Sequence, residues 1–357
     1  MAERATPVPS SAPVVPAPSE RGWAKLFLAL AAFLFLPAAM RALVPIDQST
    51  TLLVPAVAAC ALVGWWAGGR AFLAIAWVAI ASLLVWRIGP TPTPFDNLAR
   101  GWSLLLAGSF GLVCLFGPNR TLFARSLVAL GTTLVLATIM CLIGPVSLAD
   151  AGKIVADEFA RRNVESMAAL NRAIQTNASE WSAMTAKVPQ LANMPEQMEG
   201  RLAEISNLGV AIFPALLALQ SLAALALAWA TYHRLGRARL GAPLRPLKEF
   251  RFNDQLVWGL IVGLTIMLLP TLKALHGAGK NLLVFFATLY AVRGFAVLAW
   301  FMAPGALGVT LTVGFVMLLL PILGVFAALA LMMLGVAALA LGLGDTWADW
   351  RSRARQT

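Results

Sequence analysis

Charged residues are scarce in this sequence, making up 12% of its 357 positions, and only 16 residues are Asp or Glu. A water-soluble domain carries about 25%, so a surface wetted on every side is excluded. Cysteine is almost absent. Cys60, Cys114 and Cys141 each lie in an apolar run and form no CxxC pair, which fits neither a disulfide framework nor a cysteine zinc site. The two histidines, His233 and His276, have no metal-ligand spacing to each other. There is no HExxH, no phosphate-binding Gly-rich loop, no GxSxG and no dinucleotide fingerprint. The expectation is a non-enzyme with no catalytic residues, no metal and no cofactor.

What the chain has in quantity is apolar surface: 60% of its residues are hydrophobic and its mean hydropathy is +0.79. Runs of ~20 apolar residues recur, each long enough to cross a ~30 Å hydrocarbon core. They are rich in Leu, Ala and Val and lack the alternation of barrel strands, so they read as helices. The expected fold is all-α: a polytopic transmembrane helical bundle of about ten spans, with an extracytoplasmic amphipathic helical insertion.

The chain divides by composition. Residues 1–21 contain Pro7, Pro9, Pro13, Pro16 and Pro18 and read as a disordered cytoplasmic tail. Residues 22–148 form a first membrane block of five helices, near 24–44, 51–68, 71–86, 102–117 and 122–147. The first of these reads as an uncleaved helix rather than a signal peptide, given its length and the spans downstream. Trp65, Trp66, Trp86 and Trp102 fall near span ends, where an indole suits the headgroup boundary.

Residues 149–206 are polar. Val155, Phe159, Met167, Leu170, Ile174, Trp181, Met184, Val188 and Leu191 recur there at helical spacing, the mark of one or two amphipathic helices. Their apolar stripe must cover a partner helix, the membrane surface or the mouth of the bundle. Residues 207–343 form a second membrane block of four or five helices, with spans near 208–232, 256–272 and 281–303, then an apolar stretch from 305 to 342. As one helix that stretch would be ~57 Å long; Pro321 and Gly324 near its middle predict a hairpin instead. A single helix there would reduce the count to nine. Residues 344–357 read as a basic cytoplasmic tail.

Orientation follows from loop charge. Six basic residues (Arg234, Arg237, Arg239, Arg245, Lys248 and Arg251) face two acidic ones in the short linker before the seventh span. That predicts a cytoplasmic linker, and so an inner-membrane protein with both termini cytoplasmic. The insertion between Asp150 and Glu204 has eight acidic and six basic residues and falls outside. The net charge of +11 therefore reflects topology and not nucleic-acid binding. The linker's basic residues are candidates for contact with anionic lipid headgroups or a partner.

The assigned spans contain no Asp or Glu, which weighs against an acid-coupled antiporter. Arg293 stands out, in the middle of 281–303 with no intramembrane carboxylate to pair with. An arginine at that depth should face protein or water. It could meet an anionic group of a ligand, or it could bond carbonyls and hydroxyls or snorkel. Tyr290, Thr288, Thr265 and Gln220 could join it in a ligand site if they converge. The Gly259-x-x-x-Gly263 pair permits close helix approach, and Lys273 reads as an interfacial anchor.

Three short motifs carry a resemblance: Glu249-Phe250-Arg251-Phe252, Tyr290-Ala-Val-Arg293-Gly294-Phe295, and Gly344-Asp345 with Asp349-Trp350-Arg351. Together, over residues 208–353, the chain resembles the bacterial YybS-like family of uncharacterised multi-spanning membrane proteins. The first five spans match that family in number and hydropathy. The resemblance extends to substrate-binding subunits of energy-coupling-factor vitamin transporters, which implies solute capture, although six spans are usual there and this chain has more.

The expected function is accordingly a solute-binding or transport component for a small anionic or polar molecule. Its expected partners are the lipid bilayer, further membrane or ATPase subunits and a small-molecule ligand. The alternative is a non-catalytic scaffold or assembly factor that docks partners through the amphipathic insertion and the basic linker.

Overall fold

The computed structural model describes residues 22–350 except 42, 88–91, 118–119, 190–192, 237–240, 304 and 319–322. The Pro-rich segment 1–21, Pro321, Arg237, Arg239 and the basic end 351–357 lie outside the described residues. Among the described residues there are thirteen α-helices and no strand. Five stretches are long and apolar enough to cross a membrane, and four shorter apolar helices accompany them.

The first half comprises α1 (Trp23–Ala39), α2 (Thr50–Trp66), α3 (Ala71–Arg87), α4 (Pro94–Phe116) and α5 (Leu122–Ile143). The start of α4 lies earlier than the hydropathy indicates. Thr93 caps it by accepting from the Asp96 N–H while Asp96 accepts from the Thr93 N–H, and Pro94 sits in the first turn. Proline costs nothing there because its missing N–H would have no helical partner. Trp102 is therefore well inside α4 and not at a span end; its indole N–H donates to Ser221 Oγ at 3.0 Å. Trp65, Trp66 and Trp86 do stand exposed at helix ends.

The insertion is three helices, α6 (Leu148–Thr176), α7 (Ala178–Lys187) and α8 (Met194–Ala211). Ser147 and Asp150 form a second capping box at the start of α6. Helix α8 folds back along α6 and runs past the polarity boundary near 206. The stripe of α6 settles what its first part covers: Val155 and Phe159 enter the core of the bundle, with Phe159 edge-on to Phe213. It caps the mouth of the bundle.

Helix α9 (Phe213–Leu235) follows in sequence but packs with the first half. Leu217, Ala224, Leu225, Ala228, Trp229 and Tyr232 share one buried core with Leu52, Ala56 and Val63 of α2 and Leu106, Phe110 and Cys114 of α4. The break in composition at the insertion is thus not the break in packing. Gln220 of α9 anchors the α1–α2 loop: its amide donates to the Ile46 carbonyl at 2.7 Å and accepts from the Ile46 N–H at 3.1 Å.

The second half contains α10 (Val257–Leu268), α11 (His276–Phe301), α12 (Ala306–Leu318) and α13 (Leu323–Ala348). Helix α10 has only twelve residues, about 18 Å, because Pro270 cannot continue it and a 3-10 stretch, Pro270–Leu275, takes over. The stretch 305–342 is two helices in mutual contact, α12 and α13, as its length predicts. Helix α13 runs through Gly344 to Ala348, where a tail was expected.

Small residues bring the helices of this half together. A β-carbon at Gly263 would press on Leu282 and Leu283 of α11, and one at Gly259 would overlap the Phe286 ring, so the glycine pair does permit close approach. The tightest crossing is between α11 and α13. A β-carbon on Gly294 would overlap the Ala338 carbonyl, and one on Gly342 would overlap the Tyr290 carbonyl. The backbones touch there, as small residues at such spacing allow.

Candidate functional site

The close α11–α13 crossing sets Arg293 beside the end of α13. Arg293 lies eight residues before the end of α11, nearer that end than its apolar run suggests. It is fully buried. Its Nε donates to Asp345 Oδ2 at 3.0 Å, its Nη2 donates to the Asp345 carbonyl at 3.1 Å, and its Nη1 donates to Asp254 Oδ1 at 2.5 Å. The guanidinium also lies 5.4 Å from the Phe252 ring centroid, a cation–π distance. The expectation that Arg293 has no carboxylate partner is therefore overturned. Asp345 and Asp254 sit at helix ends in sequence, and the fold carries both to the arginine.

The neighbours of this ion pair are the residues of the three short motifs. Phe252 meets the buried Tyr290 edge-on at 5.1 Å. Arg251 pairs with Asp349 and comes within 4.0 Å of Asp345 Oδ2. Three segments separated by up to 98 residues thus form one cluster of alternating charge around a fully buried carboxylate.

The other expected ligand residues do not converge on it. The hydroxyl of Thr265 donates to the Ile261 carbonyl and that of Thr288 to the Val284 carbonyl, each within its own helix. Gln220 is committed to the α1–α2 loop. Of the proposed set, only Tyr290 and Arg293 share the cluster.

The described part of the linker after α9, from Gly241 on, packs against both halves. Gly241 has φ +79, and a β-carbon there would strike the Arg125 guanidinium, so both the backbone and the space call for glycine. Arg125 is buried. Its guanidinium stands 4.9 Å over the Trp229 ring, and its Nε donates to the Arg120 carbonyl at 2.9 Å. The Trp229 indole N–H donates to the Ala242 carbonyl at 3.0 Å. Farther on, Phe250 and Phe252 both pack on Phe123 of α5, at 5.5 and 5.4 Å. Of the basic linker residues, Arg234 donates back to the Ala230 carbonyl, Arg245 and Lys248 are exposed, and Arg251 belongs to the ion-pair cluster.

A third buried arginine, Arg162 of α6, gives almost no signal in the sequence because its segment is polar throughout. It donates to Glu158 Oε1 at 2.8 Å and to the carbonyls of Val44 and Pro45 at 2.8 and 3.2 Å, and it packs against Phe95 and Phe159. Glu158 also accepts from Arg161, and that bond holds the Arg161 guanidinium above its ordinary pKa. The only hint in the sequence is the Glu158–Arg162 spacing of one helical turn. Among the described residues no group of three or more His, Cys, Asp or Glu gathers to hold a metal.

A family model described as "Predicted membrane protein (DUF2232)" matches residues 29–339. The match takes in most of α1, all of α2–α5 and the first two motifs, while the third motif, at 344–351, lies beyond its end. No curated protein and no solved structure matches the chain.

Proposed function

Since the chain belongs to the DUF2232 family of predicted membrane proteins, we propose from its geometry that it is a non-catalytic membrane scaffold, docking partner proteins through the α6–α8 arm and the basic linker. The observation that carries this reading is the state of Arg293. All three of its guanidinium nitrogens are engaged by Asp345 and Asp254, so it serves as a fastening between helices. A solute-binding or transport role finds less support, because an anionic ligand would have to displace two carboxylates to reach it. Arg162 supports the scaffold reading in the same way, by fixing the arm to the bundle mouth. The remainder of the arm carries exposed charge and exposed Met184 and Val188, the mixture usual in docking surfaces. On this reading the linker end faces the cytoplasm and the arm lies outside the inner membrane of a bacterium, an orientation that the excess of basic residues in the linker supports.

The test is site-directed photo-cross-linking in cells from Arg172, Glu180 and Lys187 on the arm, with Val309 of α12 as the lipid-facing comparison. Discrete protein adducts of fixed mass from the arm positions are expected, identified by mass spectrometry; an ATPase subunit among them would return the transporter role. Adducts no different from those at Val309 would overturn the scaffold reading.

A further inference from the structure

Arg70 is a charged residue with no fastening of this kind. It follows Gly68, at φ +88, and Gly69, whose N–H donates to the Gly64 carbonyl at 2.9 Å to close the end of α2. Its side chain is exposed, and no described residue forms a hydrogen bond or ion pair with it.

It stands at the mouth of a half-open groove between α2, α3 and the end of α9. Val57, Ala61, Leu73 and Trp77 wall this groove, and Tyr232 forms part of its lining beside Gly64. The groove is shallow, and much of the roughly 390 Å³ of empty space along it is open to the surroundings. The exposed Trp65 belongs to the lining, and Trp66, also exposed, follows it at the end of α2; exposed indoles at a helix end mark the headgroup level.

We propose that this groove holds one acyl chain of an anionic glycerophospholipid, with the lipid phosphate on Arg70. The walls are apolar hydrocarbon, which a chain fits and a polar solute does not. The cation sits where the chain must end, at the depth of the headgroup. Arg234 lies close along the chain to Leu235 and Gly236, which line the same mouth, so the potential there is positive and favours an anionic headgroup over a zwitterionic one. A guanidinium also matches phosphate geometry with two parallel donors. The site is separate from the Arg293 cluster and does not depend on the scaffold reading.

The experiment uses the full-length protein, delipidated in detergent and titrated with phosphatidylglycerol or phosphatidylcholine, with native mass spectrometry counting the bound lipid. The wild type is expected to hold one phosphatidylglycerol about tenfold more tightly than phosphatidylcholine, a difference of about 1.4 kcal/mol. Arg70→Gln should abolish that preference, Arg70→Lys should keep most of it, and Lys25→Gln, at an exposed position on α1, should leave it intact. Ala61→Phe, which fills the groove, should lower retention of both lipids. Equal binding of the two lipids by the wild type, an unchanged preference in Arg70→Gln, or equal losses in Arg70→Gln and Lys25→Gln would overturn the site. The last result would mean diffuse attraction to a basic surface.

Discussion

Replacing Arg293 by alanine separates a structural fastening from a ligand site. Asp345 has a side chain with no exposed area, whereas the side chain of Asp254 is 58% exposed. Removing the arginine leaves the Asp345 carboxylate buried, with Arg251 the nearest remaining guanidinium at 4.0 Å. Breaking a buried pair from one side costs about 3–5 kcal/mol, while an exposed pair is worth roughly 0.2–1 kcal/mol. Arg293→Ala and Asp345→Ala should therefore each destabilise the protein by about 3–5 kcal/mol, and Asp254→Ala by less than about 1 kcal/mol. The double change Arg293→Met with Asp345→Leu removes both charges and should recover most of the loss. Reversible unfolding in mixed dodecylmaltoside–SDS micelles, followed by circular dichroism, measures all four. If Arg293→Ala leaves the unfolding free energy unchanged or raises it, the arginine is not a fastening. A charge kept for a ligand behaves in that way.

Three further outcomes are expected. Gly294→Val should separate α11 from α13, because the Ala338 carbonyl occupies the space of the new side chain; a loss of at least about 1–3 kcal/mol should appear in the same unfolding assay. Arg162→Ala should free α6 from the Val44 and Pro45 carbonyls and leave Glu158 buried, so limited proteolysis should cut within 148–176 at least tenfold faster, or about 1.4 kcal/mol of local stability. An unchanged rate would mean that Phe159 alone holds the helix down. Among the cysteines, Cys60 and Cys114 are buried and Cys141 is half-buried. A small maleimide should label Cys141 in the folded protein and the other two only after unfolding, with intact mass as the readout; rapid labelling of Cys60 would contradict the packing of α2 against α9.

The helices of this fold were legible because hydropathy reports burial in lipid or protein directly, and the division of 305–342 into α12 and α13 followed from its length together with Pro321 and Gly324 near its middle. Pairings were not legible in that way. Asp254 and Asp345 read as loop residues, since a span drawn from hydropathy ends at the first charge; yet a helix can carry a carboxylate in its last turn when the partner waits on a neighbour. The placement of α9 with α2 and α4 was hidden for a related reason. Its apolar surface would serve equally well on either side of the insertion, and only shape complementarity around Trp229 and Phe110 decides. Arg162 was hidden by its company, because an arginine among charged neighbours looks solvated. The three short motifs did mark the right place, and the fold shows why they travel together: they are the three walls of one cluster.

The reach between Arg293 and Asp345 has a consequence for how the chain is made. The two are 52 residues apart, so at ordinary elongation rates of 5–20 residues per second Arg293 is synthesised about 3–10 s before its buried partner. During that interval α11 carries an unneutralised guanidinium, and only Asp254, already made, can attend it from the rim. The fastening is complete only when α13 has been made and its glycines meet those of α11. A chain that stops short of Asp345 has Asp254 alone to offer the arginine.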